Sequence, residues 1–126
     1  MELLKNKTVL IVDDERTNIF ALQSYLETLE LKIEVAGNGK EALDLLATGT
    51  NVDIILLDMM MPVMDGYETL DILRNNETLN HIPVIALTAR AMKGDKEKCL
   101  EAGAWDYLSK PIDLKNLIDV ITRLIK

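Results

Sequence analysis

Five residues hold the chemistry of this chain: Asp13 and Asp14 in "LIVDDE", Asp58 in "DIILLDMMMP", Thr88 in "PVIALTA" and Lys110 in "WDYLSKP". The acids, the threonine and the lysine each stand at the close of a short apolar run. Singly, each has an ordinary explanation. An aspartate caps a helix or opens a turn, a threonine does the same, and a lysine is most often a solvated charge. Jointly they point elsewhere. Gathered carboxylates repel and raise pKa values, so such a cluster calls for a cation. Carboxylates with a backbone carbonyl and water suit the hard ions Mg²⁺ and Mn²⁺. The chemistry that follows is phosphoryl transfer to a carboxylate, with Asp58 as the nucleophile that becomes an aspartyl phosphate. The metal would neutralise phosphoryl charge, Lys110 would pair with a second phosphoryl oxygen, and the Thr88 hydroxyl with a third.

That constellation exists only if the elements bring it together. "TVLIV" (Thr8–Val12), "IEVA" (Ile33–Ala36), "DIILLD" (Asp53–Asp58), "PVIALT" (Pro83–Thr88) and "WDYLSK" (Trp105–Lys110) read as strands. Ile19, Leu22, Leu26 and Leu29 recur at helical spacing from about Arg16 to about Leu29. A second helix turns Ala42, Leu45 and Leu46 inward and stops at Gly49. "DGYETLDILRN" starts a third, "GDKEKCLEAG" is a fourth ending at Gly103, and the closing helix sets Leu114, Leu117, Ile118, Ile121 and Ile125 on one face. Five alternations of strand and helix imply a parallel sheet covered on both faces. Strands one, three and four are apolar throughout, as doubly buried strands should be. Ligands of such sheets bind beyond the carboxyl ends of the strands, where the five residues fall.

Length and composition bound the answer. The chain has 126 residues, 48% apolar and 28% charged, so one globular domain over residues 1–126 is expected. A net charge of -7 argues against nucleic acid as a partner of this domain alone. The single cysteine, Cys99, excludes an internal disulfide and fits a reducing, cytoplasmic setting. No apolar run is long enough to span a bilayer, and "MELLKNKTVLIVDDE" lacks the cleavage site of a signal peptide.

The acid pair, "D-x-x-M-P-x-M-D-G", "T-A" and "K-P", in this order and spacing, resemble the receiver domain of two-component response regulators across essentially the whole chain. The text as a whole is most similar to receivers of hybrid sensor histidine kinases. The resemblance implies a flavodoxin-like α/β fold: a doubly wound five-stranded parallel sheet, order 2-1-3-4-5, flanked by five helices. By position it makes Asp58 the phosphoacceptor, Asp14 a direct metal ligand and Asp13 an acid acting largely through water. Met60 would supply a backbone carbonyl to Mg²⁺ (or Mn²⁺), and Lys110 is the active-site lysine, before a candidate cis Lys110–Pro111 bond. Thr88 and Tyr107 match the switch pair. Met60 and Arg90 match the two positions that vary near the phosphate. A methionine orients an attacking water poorly, so slow self-dephosphorylation, over many minutes, is expected. The implied partner is a histidine kinase or histidine phosphotransfer domain, with no membrane contact and a monomer or weak phosphorylation-dependent dimer. Such a domain catalyses its own phosphorylation without being a turnover enzyme. The chain is then a receiver of a hybrid kinase or a single-domain regulator.

Other readings fit less well. A flavin phosphate needs hydroxyl and N–H donors after strand one, where "DDERTN" places negative charge. An aspartyl-phosphate hydrolase needs a second acid two residues after the nucleophile, where Met60 stands. A receiver serving only for docking would usually lack one of the key residues. The methionines of "DMMMPVMDG" suggest a soft-metal site only without hard carboxylates nearby. Met59, Met61 and Met64 therefore read as apolar filler around a turn that Gly66 closes. His81 reads as a loop residue, Cys99 as a small packed one, and Trp105 as cover for the start of the fifth strand.

Overall fold

The computed structural model describes residues 4–61, 63–89 and 94–125. Strands and helices alternate: β1 (Thr8–Val12), α1 (Arg16–Glu27), β2 (Lys32–Ala36), α2 (Gly39–Ala47), β3 (Ile54–Asp58), α3 (Gly66–Arg74), β4 (Val84–Thr88), α4 (Asp95–Glu101), β5 (Asp106–Ser109) and α5 (Leu114–Ile125). All strand pairs are parallel, in the order β2-β1-β3-β4-β5. Fold class and strand order are those implied by the sequence. Among the described residues no helix is long and apolar enough to cross a membrane.

The two faces follow from the period-two alternation of the strands. Leu10, Val12, Ile55, Leu57, Val84 and Ala86 point to one side and pack with α2, α3 and Cys99 of α4. Val9, Ile11, Ile54, Leu56, Ile85 and Leu87 point to the other and pack with α1 and α5. β3 and β4 are buried at every position, which is why they read as unbroken apolar runs. At about 25 cal/mol per Å² of apolar surface buried, this double-sided core is the main favourable term in folding.

Boundaries differ slightly from expectation, for local reasons. α1 stops at Glu27, and the chain reverses at Glu30, whose φ is +65°. Asp53 lies just outside β3; its carboxylate accepts the Thr8 N–H at 2.8 Å and its own N–H donates to the Thr8 carbonyl at 2.9 Å. Trp105 precedes β5 and is 47% exposed, the partial exposure common for tryptophan. Gly49 and Gly103 do follow their helices in the left-handed region, with φ of +87° and +118°.

Gly66, the first residue of α3, is set by close approach rather than by φ. A Cβ there would lie 2.6 Å from Met59 Cα and 3.0 Å from the Asp58 carbonyl oxygen. Asp65 caps the helix by accepting the Glu68 N–H at 2.9 Å. α3 therefore starts directly against the backbone at the end of β3. Gly66→Ala is expected to cost about 1–3 kcal/mol, read as a lower urea midpoint at unchanged m-value.

Candidate functional site

The carboxyl edge of the sheet brings four of the residues singled out above into one cluster. Asp58 is the last residue of β3 and only 4% exposed. Asp13 follows β1, is 1% exposed, and continues the ladder through its N–H to the Ala36 carbonyl. Asp14 is exposed beside it. One carboxylate oxygen from each of Asp13, Asp14 and Asp58 lies within 4.8 Å of the others.

Lys110 comes from the far side. β5 lies two strands from β3, about 10 Å at the usual spacing, and the four-carbon stem of lysine crosses that gap. Its Nζ stands 3.2 Å from Asp13 Oδ2 and 3.5 Å from Asp58 Oδ2. Its N–H donates to the Thr88 carbonyl at 2.7 Å, and its bond to Pro111 is cis, as anticipated.

The remaining carboxylate oxygens have local partners. Asp58 Oδ1 accepts the Met60 N–H at 3.0 Å. Asp13 Oδ1 accepts the Glu15 N–H at 2.9 Å. So Asp13 also does the turn-forming work that its type alone would suggest, although the cap position of α1 is Glu15. That double use was not legible from spacing, because one carboxylate has two oxygens and the sequence does not say where each points.

Charge is unbalanced. Among the described residues three carboxylates face one ammonium. Burial pushes the Asp58 carboxyl above the usual carboxylate range. The Asp13 charge adds to this, and the Met60 N–H bond and Lys110 do not cancel it. Burial alone would lower the Lys110 pKa, but Asp58 and Asp13 outweigh it and raise it. The donor set is all hard oxygen and retains excess negative charge, so it fits a divalent cation of the Mg²⁺ type. Among the described residues no sulfur or imidazole joins the cluster. The methionines Met59 and Met61 are buried in the core, and the Met60 side chain is 51% exposed. His81, the one histidine, lines a cavity with Val52 and Pro83, before β4 begins and so at the other end of the strands.

Thr88 ends β4 and is buried. Tyr107 is half-buried on β5, in register with Ala86 and packed against the core on the α3 and α4 side. Arg90 and Pro62 lie outside the described residues.

Comparison with known proteins agrees with this geometry. Residues 9–122 match the family model of the response regulator receiver domain. The chain is 40% identical over 115 residues to the polar-differentiation response regulator DivK of Brucella anthropi, covering 91% of this chain and 93% of that one. It is 42% identical over 123 residues to hybrid signal transduction histidine kinase I of Dictyostelium discoideum, covering 93% of this chain and 7% of the kinase. It is 41% identical over 117 residues to a "Probable transcriptional regulator", ycf29 of Pyropia yezoensis, again 93% of this chain but about half (52%) of that protein. Among solved structures, it is similar to the receiver domain of sensor histidine kinase PA1611 from Pseudomonas aeruginosa, which holds a magnesium ion in its active-site cleft. The TM-score is 0.86 at 35% identity, over 95% of this chain and 98% of that one. It is also similar to a chain in the co-crystal of the Saccharomyces cerevisiae histidine phosphotransfer protein Ypd1 with the receiver domain of Ssk1, with a TM-score of 0.86 at 31% identity over 96% and 90%. A family match across residues 9–122, on a five-stranded parallel sheet whose carboxyl edge gathers Asp13, Asp14, Asp58 and Lys110, has one meaning: the chain belongs to the response regulator receiver domains of two-component signalling.

Proposed function

We propose that the chain is a single receiver module, residues 1–126, whose Asp58 accepts a phosphoryl group from a phosphohistidine. The observation that carries this is the meeting of three carboxylates with the Lys110 ammonium, 3.5 Å from Asp58, at the carboxyl edge of the sheet. The donor is a histidine kinase or a histidine phosphotransfer domain. The PA1611 and Ssk1 likenesses support the metal and the partner class respectively. The module works either within a hybrid kinase or as a single-domain regulator that exchanges phosphate with a histidine phosphotransfer protein, and the receiver's own residues promote the transfer.

The residues divide the work. The Met60 N–H holds the Asp58 carboxylate in one orientation, which removes rotational freedom before reaction. An Asp58 oxygen attacks phosphorus in line, and the O–P bond forms as the P–N bond breaks. The donor imidazole leaves with that electron pair and ends neutral, its second ring nitrogen carrying a proton. Lys110 turns from the carboxylates to a phosphoryl oxygen, and the Thr88 hydroxyl donates to another. Asp14, Asp58 and the Met60 carbonyl would hold Mg²⁺, with Asp13 acting through water, and the ion when bound supplies neutralisation of phosphoryl charge. Phosphorylation adds up to about two negative charges. The Thr88 and Tyr107 pair then passes the change to the surface of α4, β5 and α5, shifting its population toward a partner-binding form.

Three outcomes test this reading. With acetyl phosphate and Mg²⁺, wild type becomes labelled and Asp58→Ala does not; label persisting in Asp58→Ala refutes the assignment. Phosphate is lost over many minutes, because Met60 orients water poorly, and Arg90, which the resemblance matches to the second variable position, contributes to that lifetime; a half-life of seconds contradicts the role given to Met60. The third concerns stability. Asp58 holds its proton more tightly in the fold than in the unfolded chain. Its contribution to stability is therefore present below the ordinary pKa of 3.8 and is lost as pH rises through the raised folded value. At pH 7 without metal, Asp58→Asn should then raise Tm by about 2–6 °C. It should also lose most of the further gain that Mg²⁺ gives wild type. A lower metal-free Tm for Asp58→Asn contradicts the charge argument.

A further inference from the structure

α3 is tied to α4 at two points that the phosphoryl chemistry does not use. The Tyr67 hydroxyl lies 3.6 Å from Cys99 Sγ, and the Lys98 ammonium sits 4.7 Å from the centre of the Tyr67 ring. Burial, then the Cys99 contact, pushes the Tyr67 hydroxyl up to about 12, so it keeps its proton at neutral pH. Seven residues further along α3, Arg74 Nη1 donates to the Glu101 carbonyl, the last of α4, at 2.9 Å. The Arg74 stem also packs beside Gly103, 3.3 Å from where a Cβ would stand.

The two helices differ in how firmly they are otherwise held. α3 begins at Gly66, against the backbone of Asp58 and Met59, with a side-chain cap from Asp65. α4 has seven residues and no side-chain cap at Gly94, so little of its stability is its own. Its position is set by what it packs on. Lys110 sits on the carboxylates of Asp13 and Asp58, contacts that it exchanges for a phosphoryl oxygen on the reading above.

We propose that α3 clamps α4 in the phosphoryl-free state, through the Tyr67 hydroxyl on Cys99 and the Arg74 guanidinium on the Glu101 carbonyl, and that a phosphoryl group on Asp58 loosens this clamp. The path runs from Asp58 through the Met59 and Gly66 contact into α3, and from α3 into α4. It enters α4 from α3, whereas the Thr88 and Tyr107 pair reaches the same side of the core from β4 and β5. Its first half needs no chemistry at Asp58; its second half rests on the phosphoacceptor reading above.

Cys99 is the only cysteine and, on the core face of α4, is 1% exposed, so its labelling by a maleimide reports the opening of α4. Wild type should label slowly. Tyr67→Phe and Arg74→Met should each raise the metal-free rate three- to tenfold while urea titration shows both folded. Arg74→Met leaves the thiol's own contact intact, so a gain shared by both variants is not a change in thiol reactivity. Beryllofluoride with Mg²⁺, a mimic of the aspartyl phosphate, should speed wild-type labelling by a similar factor and add less than twofold to the Tyr67→Phe/Arg74→Met double variant. Metal-free rates within twofold of wild type in both variants overturn the clamp. A wild-type rate indifferent to beryllofluoride, in protein that acetyl phosphate labels at Asp58, overturns its coupling to phosphorylation. Acceleration by beryllofluoride that persists in Asp58→Ala overturns the phosphoacceptor reading instead, and the metal-free rates alone then decide whether the clamp stands.

Discussion

An uneven charge count at one edge of the sheet governs the rest of this molecule. Asp13 and Asp58 are buried, Asp14 stands beside them, and among the described residues Lys110 is the cation that answers the three. Like charges at such distances cost stability, so something outside the cluster has to hold them there. That something is the parallel sheet. β1 and β3 are hydrogen-bonded neighbours, which puts the residues closing them side by side, and the ladder continues past both strands through Asp13 and Met59. The apolar core on both faces supplies the free energy, and the strand ends carry the strain. Excess negative charge then becomes useful: it makes a hard divalent cation welcome and gives a phosphoryl group a place to be neutralised.

Much of this was legible in the sequence because the relevant signals are local. Strands buried on both faces are unbroken apolar runs, and the residue that ends each run is easy to see. β1, β3, β4 and the amphipathic α5 were readable in this way, and the strand alternation implied the ligand edge. What the sequence left open depends on register and reach. Lys110 is legible from its place at the close of the fifth strand, but its 3.5 Å approach to Asp58 across an intervening strand, and its 3.2 Å contact with Asp13, are not. Asp13 uses one oxygen for the turn at Glu15 and turns the other to Lys110. The need for glycine at Gly66 comes from a backbone contact with Met59, which spacing cannot reveal. Tyr67 and Arg74 are silent in the sequence for the same reason: a tyrosine and an arginine on a helix carry no signal until the neighbouring helix is placed.

The methionine-rich loop shows how little residue type says without position. Met59 and Met61 are core, and Met60 points outward while its N–H holds Asp58. These thioethers thus serve packing and backbone geometry, and the chemistry belongs to the acid before them. The same loop leads into α3, so the segment that holds the Asp58 carboxylate also carries the helix that reaches α4. Receivers of this length occur among the relatives both as nearly whole proteins and as small parts of large kinases. A compact route from Asp58 to the surface suits either setting, since it needs nothing beyond the domain itself.

The central claim is that Asp58, among several crowded acids, carries the phosphoryl group. Borohydride reduction tests it directly, because it converts an aspartyl phosphate to homoserine and leaves free carboxylates unchanged. After treatment with acetyl phosphate and Mg²⁺, peptide mass spectrometry should find homoserine at position 58 and intact aspartate at Asp13 and Asp14. Homoserine at either of those positions, or none in protein that has taken up phosphate, would contradict the account.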